Sequence, residues 1–421
     1  MVPLLFAAAH AAGVPCYGHT YDNRADSEHF WVEWADGAIP LGHQEVVLQA
    51  AEDARQTYKR DLGYRVTDEP IVISVQSLTA SGTSGITQTR DCVGHAIPAI
   101  TLDIGRWDDD AVAEVTAHEI GHVVQYAYMG SYADSVASWL WWMEGHATWL
   151  TPHATNHWGE WADIAQGYLD RAALPLQHDV FGFGDADASY HMYGTAFVVE
   201  ALAAWAGDDA VRATWEWGKD HAGSPIFFPD AIAGVGQDFD TFWADYLARL
   251  PTLDVSRPKH LGAPAAVHTA NELPDSGSYD GPGGLGAQIV WLPEFLGAHR
   301  RAAAVTFDGD PSIPWHVVLA RTREGAVLDY TPLEVTSGHA EGTLHGFDQV
   351  DGWIVVSPHT PDALARAWRW SAELVRDPGP ADATVVLVED EPGGCHHGGG
   401  APGALAALAA LRLSRRSRPP R

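Results

Sequence analysis

Positive charge is scarce in this chain of 421 residues, where 25 lysine and arginine residues stand against 55 aspartate and glutamate residues, giving a formal net charge of −30. Lysine occurs only at Lys59, Lys219 and Lys259, and no basic stripe occurs before the last ten residues. Because such a surface would repel a phosphate backbone, we expect no nucleic-acid partner.

Cysteine is also scarce and leaves room for one disulfide at most. In an exported protein Cys16 and Cys92 can pair while Cys395 stands alone, whereas in the cytosol all three thiols stay reduced. Residues 1–12 favour export, because their apolar run ends near an Ala-x-Ala site that is typical of a signal peptide. A buried first strand is the alternative. We therefore expect a secreted or cell-surface protein.

A long apolar run is missing at the C-terminus, where residues 404–411 fall far short of the roughly 20 residues that cross a bilayer. These residues follow Cys395 and a glycine-rich spacer, and they precede a cluster of arginines. This order resembles the myxobacterial-type C-terminal sorting tail and implies attachment of the chain to the cell envelope through residues 391–421. A disordered terminus is the alternative.

Two histidines four residues apart, His118 and His122, enclose Glu119 in a predicted helix. Residues at this spacing share one helix face, so both imidazoles can bind one metal ion while the glutamate points at its water. The helix is predicted independently, since residues 108–110 offer an N-cap and apolar residues recur at helical spacing. With 22 histidines in the chain, an accidental match has odds on the order of several per cent. The pattern indicates the ligand half of a hydrolase.

A third ligand is needed, because a catalytic zinc site usually has three protein ligands and one open position. Glu144 lies 22 positions after His122, which leaves room for a second, antiparallel helix to bring it back. Tryptophans and leucines surround it, and a carboxylate among them needs a partner. His146 is the competing ligand, and on a helix only one of the two can reach the metal. A glutamate paired with arginine is the other interpretation.

The segment 142–149, Trp-Met-Glu-Gly-His-Ala-Thr-Trp, resembles the one that carries the third zinc ligand in gluzincin metallopeptidases of the aminopeptidase N type. The resemblance includes the paired histidines and spans roughly residues 40–250. It implies peptide hydrolysis by a zinc-activated water, with three zinc ligands and one general base: His118, His122 and Glu144, with Glu119 as the base. The chain lacks the Gly-x-Met-Glu-Asn segment that captures a free N-terminus, which favours an endopeptidase. Gln125 and Tyr128 stand where a metzincin has glycine and histidine.

The resemblance also implies a tyrosine that stabilises the transition state. The segment 189–200 is similar to the family's Tyr-x-x-Gly-Ala segment, although its register differs. Tyr190 is our first choice for this donor and His191 the second, while Tyr193 lies directly before Gly194. Ordinary packing of these aromatic rings within a helix is the alternative.

The predicted fold class is α+β, with two folded units and tails. A helix over 44–60 and strands over 71–75 and 96–104 precede the zinc helix, and Pro98 marks the second strand as an edge strand. Further helices are expected around 158–173, 192–206, 208–217 and 240–250. Alternating patterns over 287–292, 302–307, 315–321, 353–357 and 384–388 predict a small antiparallel β-sandwich.

These elements give four segments. They are the signal peptide at 1–12, a gluzincin-like metallopeptidase domain of a small sheet and a helical bundle at 13–250, the β-sandwich at 262–390, and the tail at 391–421. The main hypothesis is an exported zinc endopeptidase that acts on protein or peptide substrates. The alternatives are an inactive surface binding or adhesion protein with a metallopeptidase-like core, or an aminopeptidase.

Overall fold

The computed structural model describes residues 20–40, 42–76, 85–92, 95–105, 107–129, 136–157, 161–178, 189–221, 228–254, 268–294, 301–346, 350–360, 364–377 and 386–387. The predicted signal peptide, Cys16, Cys395 and the C-terminal tail lie outside these residues. Among the described residues, no helix combines the length and hydrophobicity that a bilayer span requires.

A five-stranded sheet opens the fold, with the strand order β1-β2-β3-β5-β4. Its strands are β1 Asn23–Asp26, β2 Phe30–Trp34, β3 Ile71–Val75, β4 Gly85–Cys92 and β5 His95–Leu102. The three central strands run parallel, and β1 and β4 are antiparallel to their neighbours. Every residue of β3 is buried, as expected for an apolar strand that is covered on both faces.

The prediction that the strand before the zinc helix lies at the sheet edge is wrong. This strand, β5, lies between β3 and β4, so the edge strand is β4. Pro98 is tolerated in β5 because the pairing with β3 begins only at the next residue, Ala99. The N–H that proline lacks is therefore not needed for that pairing. The edge therefore belongs to a strand of polar sequence, Gly-Ile-Thr-Gln-Thr-Arg-Asp-Cys.

Nine α-helices are described, and they pack around this sheet and on one another. They are α1 His43–Gln56, α2 Asp109–Met129, α3 Val136–Thr155, α4 Trp161–Leu169, α5 Ser189–Gly194, α6 Ala196–Ala206, α7 Asp208–Asp220, α8 Phe228–Gly234 and α9 Phe239–Arg249. The helix predicted to carry His118 and His122 is confirmed as α2, and Asp108 caps it by accepting a hydrogen bond from the Ala111 N–H at 3.0 Å. Helix α1 continues through a π-helical turn at Thr57–Asp61.

The second half of the described chain consists of strands. They are β6 His268–Thr269, β7 Asp275–Tyr279, β8 Gln288–Leu292, β9 Arg301–Asp308, β10 Trp315–Arg323, β11 Ala326–Pro332, β12 His339–Leu344, β13 Asp351–Pro358, β14 Trp368–Arg376 and β15 Val386–Leu387. They form one sheet of order β15-β11-β10-β13-β8-β6 and another of order β12-β9-β14-β7. Both sheets contribute to one buried cluster that includes Phe307, Leu319, Ile354 and Trp368.

Helices and strands together confirm the α+β class. The described helical turns end at Thr252, and the strands resume at His268. Helix α9 packs against the six-stranded sheet, where the Trp243 indole N–H donates to Ser357 Oγ at 3.2 Å. The described residues, of which Leu387 is the last, belong to one compact unit. The gluzincin fold and the division into separate domains stay predictions.

Candidate metal centre and active site

The two histidines of α2 lie side by side, as their spacing predicts. Their ring centroids are 4.8 Å apart and their planes are nearly perpendicular. Ligand atoms of His118, Glu119 and His122 all lie within 4.8 Å of one another. The described structure therefore contains a group that could bind a metal ion, at the place where the sequence predicts one.

Glu144 reaches both histidines from α3. Its Oε2 lies 3.1 Å from His118 Nε2 and 3.5 Å from His122 Nε2. The two helices come close because residue 121 is glycine, where an added Cβ would stand 3.1 Å from the Cα of Ala147. A larger side chain at Gly121 would push α3 away and carry the carboxylate with it. Three polar atoms from two helices thus converge on one point.

His146, the competing third ligand, faces another direction. It is fully buried, its Nε2 lies 2.9 Å from the Tyr64 hydroxyl and its Nδ1 lies 3.2 Å from Gln125 Nε2. Both ring nitrogens of His146 thus have other partners, and of the two alternatives it is Glu144 that reaches His118 and His122.

Gln125 fixes the orientation of the His122 ring. Its Nε2 donates to the Met143 carbonyl at 2.8 Å, so its Oε1 must accept the hydrogen bond from His122 Nδ1 at 2.9 Å. A neutral His122 then carries its proton on Nδ1 and presents the lone pair of Nε2 toward Glu144. Ligating histidines usually have such a partner. In the sequence alone, Gln125 is recognisable only as a departure from the metzincin pattern.

Replacing Gln125 with methionine should weaken metal binding by about 10–100-fold, because His122 loses the partner that orients it. Methionine has a similar length but offers His122 no strong acceptor. Zinc competition with a chromophoric chelator would measure the change. An unchanged dissociation constant in a folded variant would contradict the role of Gln125.

The charges of the site favour a cation. Burial lowers the pKa of His122, but the Glu144 carboxylate outweighs burial and raises that pKa to about 9. Burial likewise acts to raise the pKa of Glu144, but His122 and His118 hold it well below its usual range. A cation that binds here displaces the proton on His122, so its affinity should fall as the pH falls.

Glu119 lies on the side of α2 that faces the edge strand β4. Its Oε2 accepts a hydrogen bond from the Thr87 hydroxyl at 2.5 Å, and Tyr126 holds this strand on α2 by donating to the Thr87 carbonyl at 3.0 Å. An added Cβ at Gly85 would stand 2.4 Å from Glu119 Oε1, so only glycine leaves room for this carboxylate. Burial raises the pKa of Glu119, which brings the carboxylate closer to the pKa that a general base needs.

The surroundings of Tyr190 and His191, the two predicted donors, differ from those of Tyr193. Tyr190 is 46% exposed, and it packs against α4, where an added Cβ on Gly167 would meet its Cβ at 2.5 Å. His191 is buried, with Nε2 3.0 Å from the Pro175 carbonyl and its ring stacked on Tyr168. It is Tyr193 whose ring approaches His118, with centroids 5.9 Å apart. The short helix α5 thus turns a different tyrosine toward the histidines.

His191 instead makes stability depend on pH. Burial lowers its pKa from 6.5 to about 4, so the unfolded chain takes up a proton first as the pH falls. The stability that neutral His191 contributes is therefore complete above about pH 6.5 and is lost toward pH 4. When the pH is lowered from about 7.5 to 5, the free energy of unfolding should fall in both the natural chain and His191→Phe. We expect the fall to be about 2 kcal/mol smaller in His191→Phe. Urea unfolding measures both losses, and equal losses would contradict this assignment.

Comparison with known proteins adds no relative. No protein-family model matches the chain, and a search of curated proteins finds no significant match.

Proposed function

We propose that the chain is a zinc-dependent peptidase whose active site lies between α2, α3 and β4. The observation that carries the proposal is the approach of Glu144 Oε2 to the Nε2 atoms of His118 and His122, at 3.1 and 3.5 Å. In a tetrahedral shell with zinc bonds of about 2.0–2.1 Å, neighbouring ligand atoms stand about 3.3 Å apart. Two imidazoles and one carboxylate are also a ligand set of catalytic zinc.

These three residues would hold the ion, and a bound zinc supplies Lewis-acid polarisation of the scissile carbonyl. Glu119 acts as the general base. It accepts a proton from the water that attacks the carbonyl carbon, and it then delivers a proton to the amine nitrogen as the C–N bond breaks. The hydrogen bond from Thr87 keeps the carboxylate in place before the substrate arrives.

Tyr193 is our candidate for the donor that stabilises the negative oxygen of the transition state. Its ring contacts His118 from α5, while its neighbour Tyr190 is half exposed and packs on α4. A hydroxyl in that position would donate to the carbonyl oxygen as charge develops on it. This assignment replaces Tyr190 and His191 in the proposed mechanism.

Replacing Tyr193 with phenylalanine should lower kcat by about 10²–10³-fold with little change in KM, because the lost hydrogen bond forms mainly in the transition state. Tyr190→Phe is the matched control and should stay within about threefold of the natural chain. Steady-state kinetics on one peptide substrate measures both. The assignment fails if Tyr190→Phe is the more damaging substitution.

The edge strand β4 offers a binding surface for an extended substrate. Within the described residues β4 pairs only with β5, so its other edge carries backbone groups that a peptide can pair with. Thr87, which holds Glu119, lies on this strand. A substrate strand added to β4 would therefore run beside the general base. Such binding along a strand needs no free N-terminus and supports internal cleavage.

Zinc analysis and cleavage profiling test the proposal together. The purified chain, loaded with zinc, is incubated with a mixed peptide library whose N-termini are free or acetylated, and mass spectrometry identifies the products. We expect internal cuts in both sets. Cuts that require a free N-terminus would favour an aminopeptidase. Zinc binding without any cleavage would favour the alternative of an inactive binding or adhesion protein.

A further inference from the structure

A second cluster of ligand-type side chains lies where α9 meets the six-stranded sheet. His359 Nδ1 is 2.8 Å from His316 Nε2, and Asp240 Oδ1 lies 3.2 Å from the former atom and 3.8 Å from the latter. The two imidazole rings are nearly parallel, at 24°. The three ligand atoms lie within 4.8 Å of one another. The cluster shares no residue with the α2–α3 centre.

Strand register places the two histidines together. Strands β10 and β13 are antiparallel, and His316 stands opposite Ser357. His359 lies two residues beyond Ser357 and therefore projects from the same face of the sheet. Its backbone N–H donates to the Pro314 carbonyl at 2.9 Å, which fixes the chain just after β13.

Helix α9 supplies the carboxylate from the same face that docks on the sheet. Asp240 and Trp243 are three residues apart and so lie on one side of the helix. Trp243 donates to Ser357 Oγ, between the positions of the two histidines. The contact that anchors the helix thus also brings Asp240 to the imidazoles.

The electrostatic state of the cluster suits a metal ion. His359 Nδ1 and His316 Nε2 face each other, so an ion held between them and Asp240 could accept a lone pair from each ring. Without an ion, only one of the two rings can donate the hydrogen bond between them, and the Asp240 carboxylate lies beside this pair. Two imidazoles and a carboxylate are typical ligands of zinc and similar divalent ions.

The cluster is open on one side. The His316 side chain is 11% exposed, His359 34% and Asp240 65%. A divalent ion can therefore enter from solvent and complete its shell with water.

We propose that Asp240, His316 and His359 form a second site for a divalent transition-metal ion such as zinc. An ion held there joins α9 to strands β10 and β13. It would therefore stabilise the contact between the helical half and the β-sheet half of the described chain. This site is independent of the proposed peptidase centre, and its role is structural.

Zinc titration of the metal-stripped full chain tests the proposal. We expect two equivalents of Zn²⁺ in the natural chain, one in His359→Gln, one in His118→Ala and none in the double variant. His339→Gln is the matched control and should keep both equivalents. His339 also contacts two carboxylates, but each ring nitrogen faces a different one. Its Nδ1 lies 2.8 Å from Asp308, and its Nε2 lies 3.4 Å from Glu341. The second site would be overturned if the natural chain bound only one equivalent, and if His118→Ala lost this equivalent while His359→Gln kept it.

Thermal unfolding gives a second readout in the His118→Ala background, where the first site is disabled. Zn²⁺ at about a hundredfold excess over its Kd should raise the Tm of this variant by roughly 3–5 °C. Asp240→Asn, at an exposed position, should abolish the rise and serves if His359→Gln folds poorly. An equal rise with and without Asp240 would refute the proposed ligand set. Since peptidase activity is not measured here, the outcome does not depend on the proposed function.

Discussion

Glu119→Gln should lower the rate of peptide hydrolysis by about 10²–10⁴-fold while the zinc content stays unchanged. The amide has nearly the shape of the carboxylate and can still accept the hydrogen bond from Thr87, so the packing against β4 is retained. It cannot accept the proton of the attacking water, and the reaction loses its base. Initial rates on a cleaved library peptide, together with zinc analysis, measure the two quantities separately.

Glu45→Gln is the control for Glu119, because Glu45 is an exposed glutamate in the first turn of α1. It should hydrolyse peptides at the rate of the natural chain. A Glu119→Gln variant as active as this control would remove Glu119 from the mechanism. A variant that loses zinc along with activity would show that Glu119 serves the metal instead of the water.

Glu144→Gln should lose both zinc and activity. The neutral amide is a poor ligand, and it cannot replace the carboxylate that lies against both Nε2 atoms. The loss of zinc affinity should exceed the roughly 10–100-fold that is expected when only a hydrogen-bond partner of a ligand is removed, as in Gln125→Met. Chelator competition on both variants gives this order directly.

The Glu45→Gln variant again controls for the loss of one negative charge, and it should bind zinc normally. Excess zinc should restore part of the activity of Glu144→Gln if the ligand set is otherwise intact. A variant that binds zinc as tightly as the natural chain would exclude Glu144 as a ligand. The three-residue centre would then be wrong, even with both histidines in place.

The meeting of His118, His122 and Glu144 was predictable because most of its signals are local. The spacing of His118 and His122 places them on one helix face in any fold, and the interval to Glu144 is long enough for one antiparallel return. The choice between Glu144 and His146 was not local, because it depends on which side of α3 faces α2. The contact of Gln125 with His122 was not predicted, because it depends on a second hydrogen bond from the same amide to the Met143 carbonyl on α3.

The choice between Tyr190 and Tyr193 is not local either. Tyr190 and Tyr193 are one helical turn apart, so spacing alone gives them nearly the same direction. Packing on α4, where Gly167 leaves a space that Tyr190 fills, distinguishes them. Which strand lies at the sheet edge also depends on long-range pairing, because the polar segment that forms β4 has no alternating apolar pattern.

The amide of Gln125 sets the relative register of the two ligand helices from within the site. It binds the ring of His122 on α2 and the carbonyl that directly precedes Glu144 on α3, and the contact of Gly121 with Ala147 fixes their distance. Contacts between the two helices themselves therefore set the position of Glu144 relative to His122.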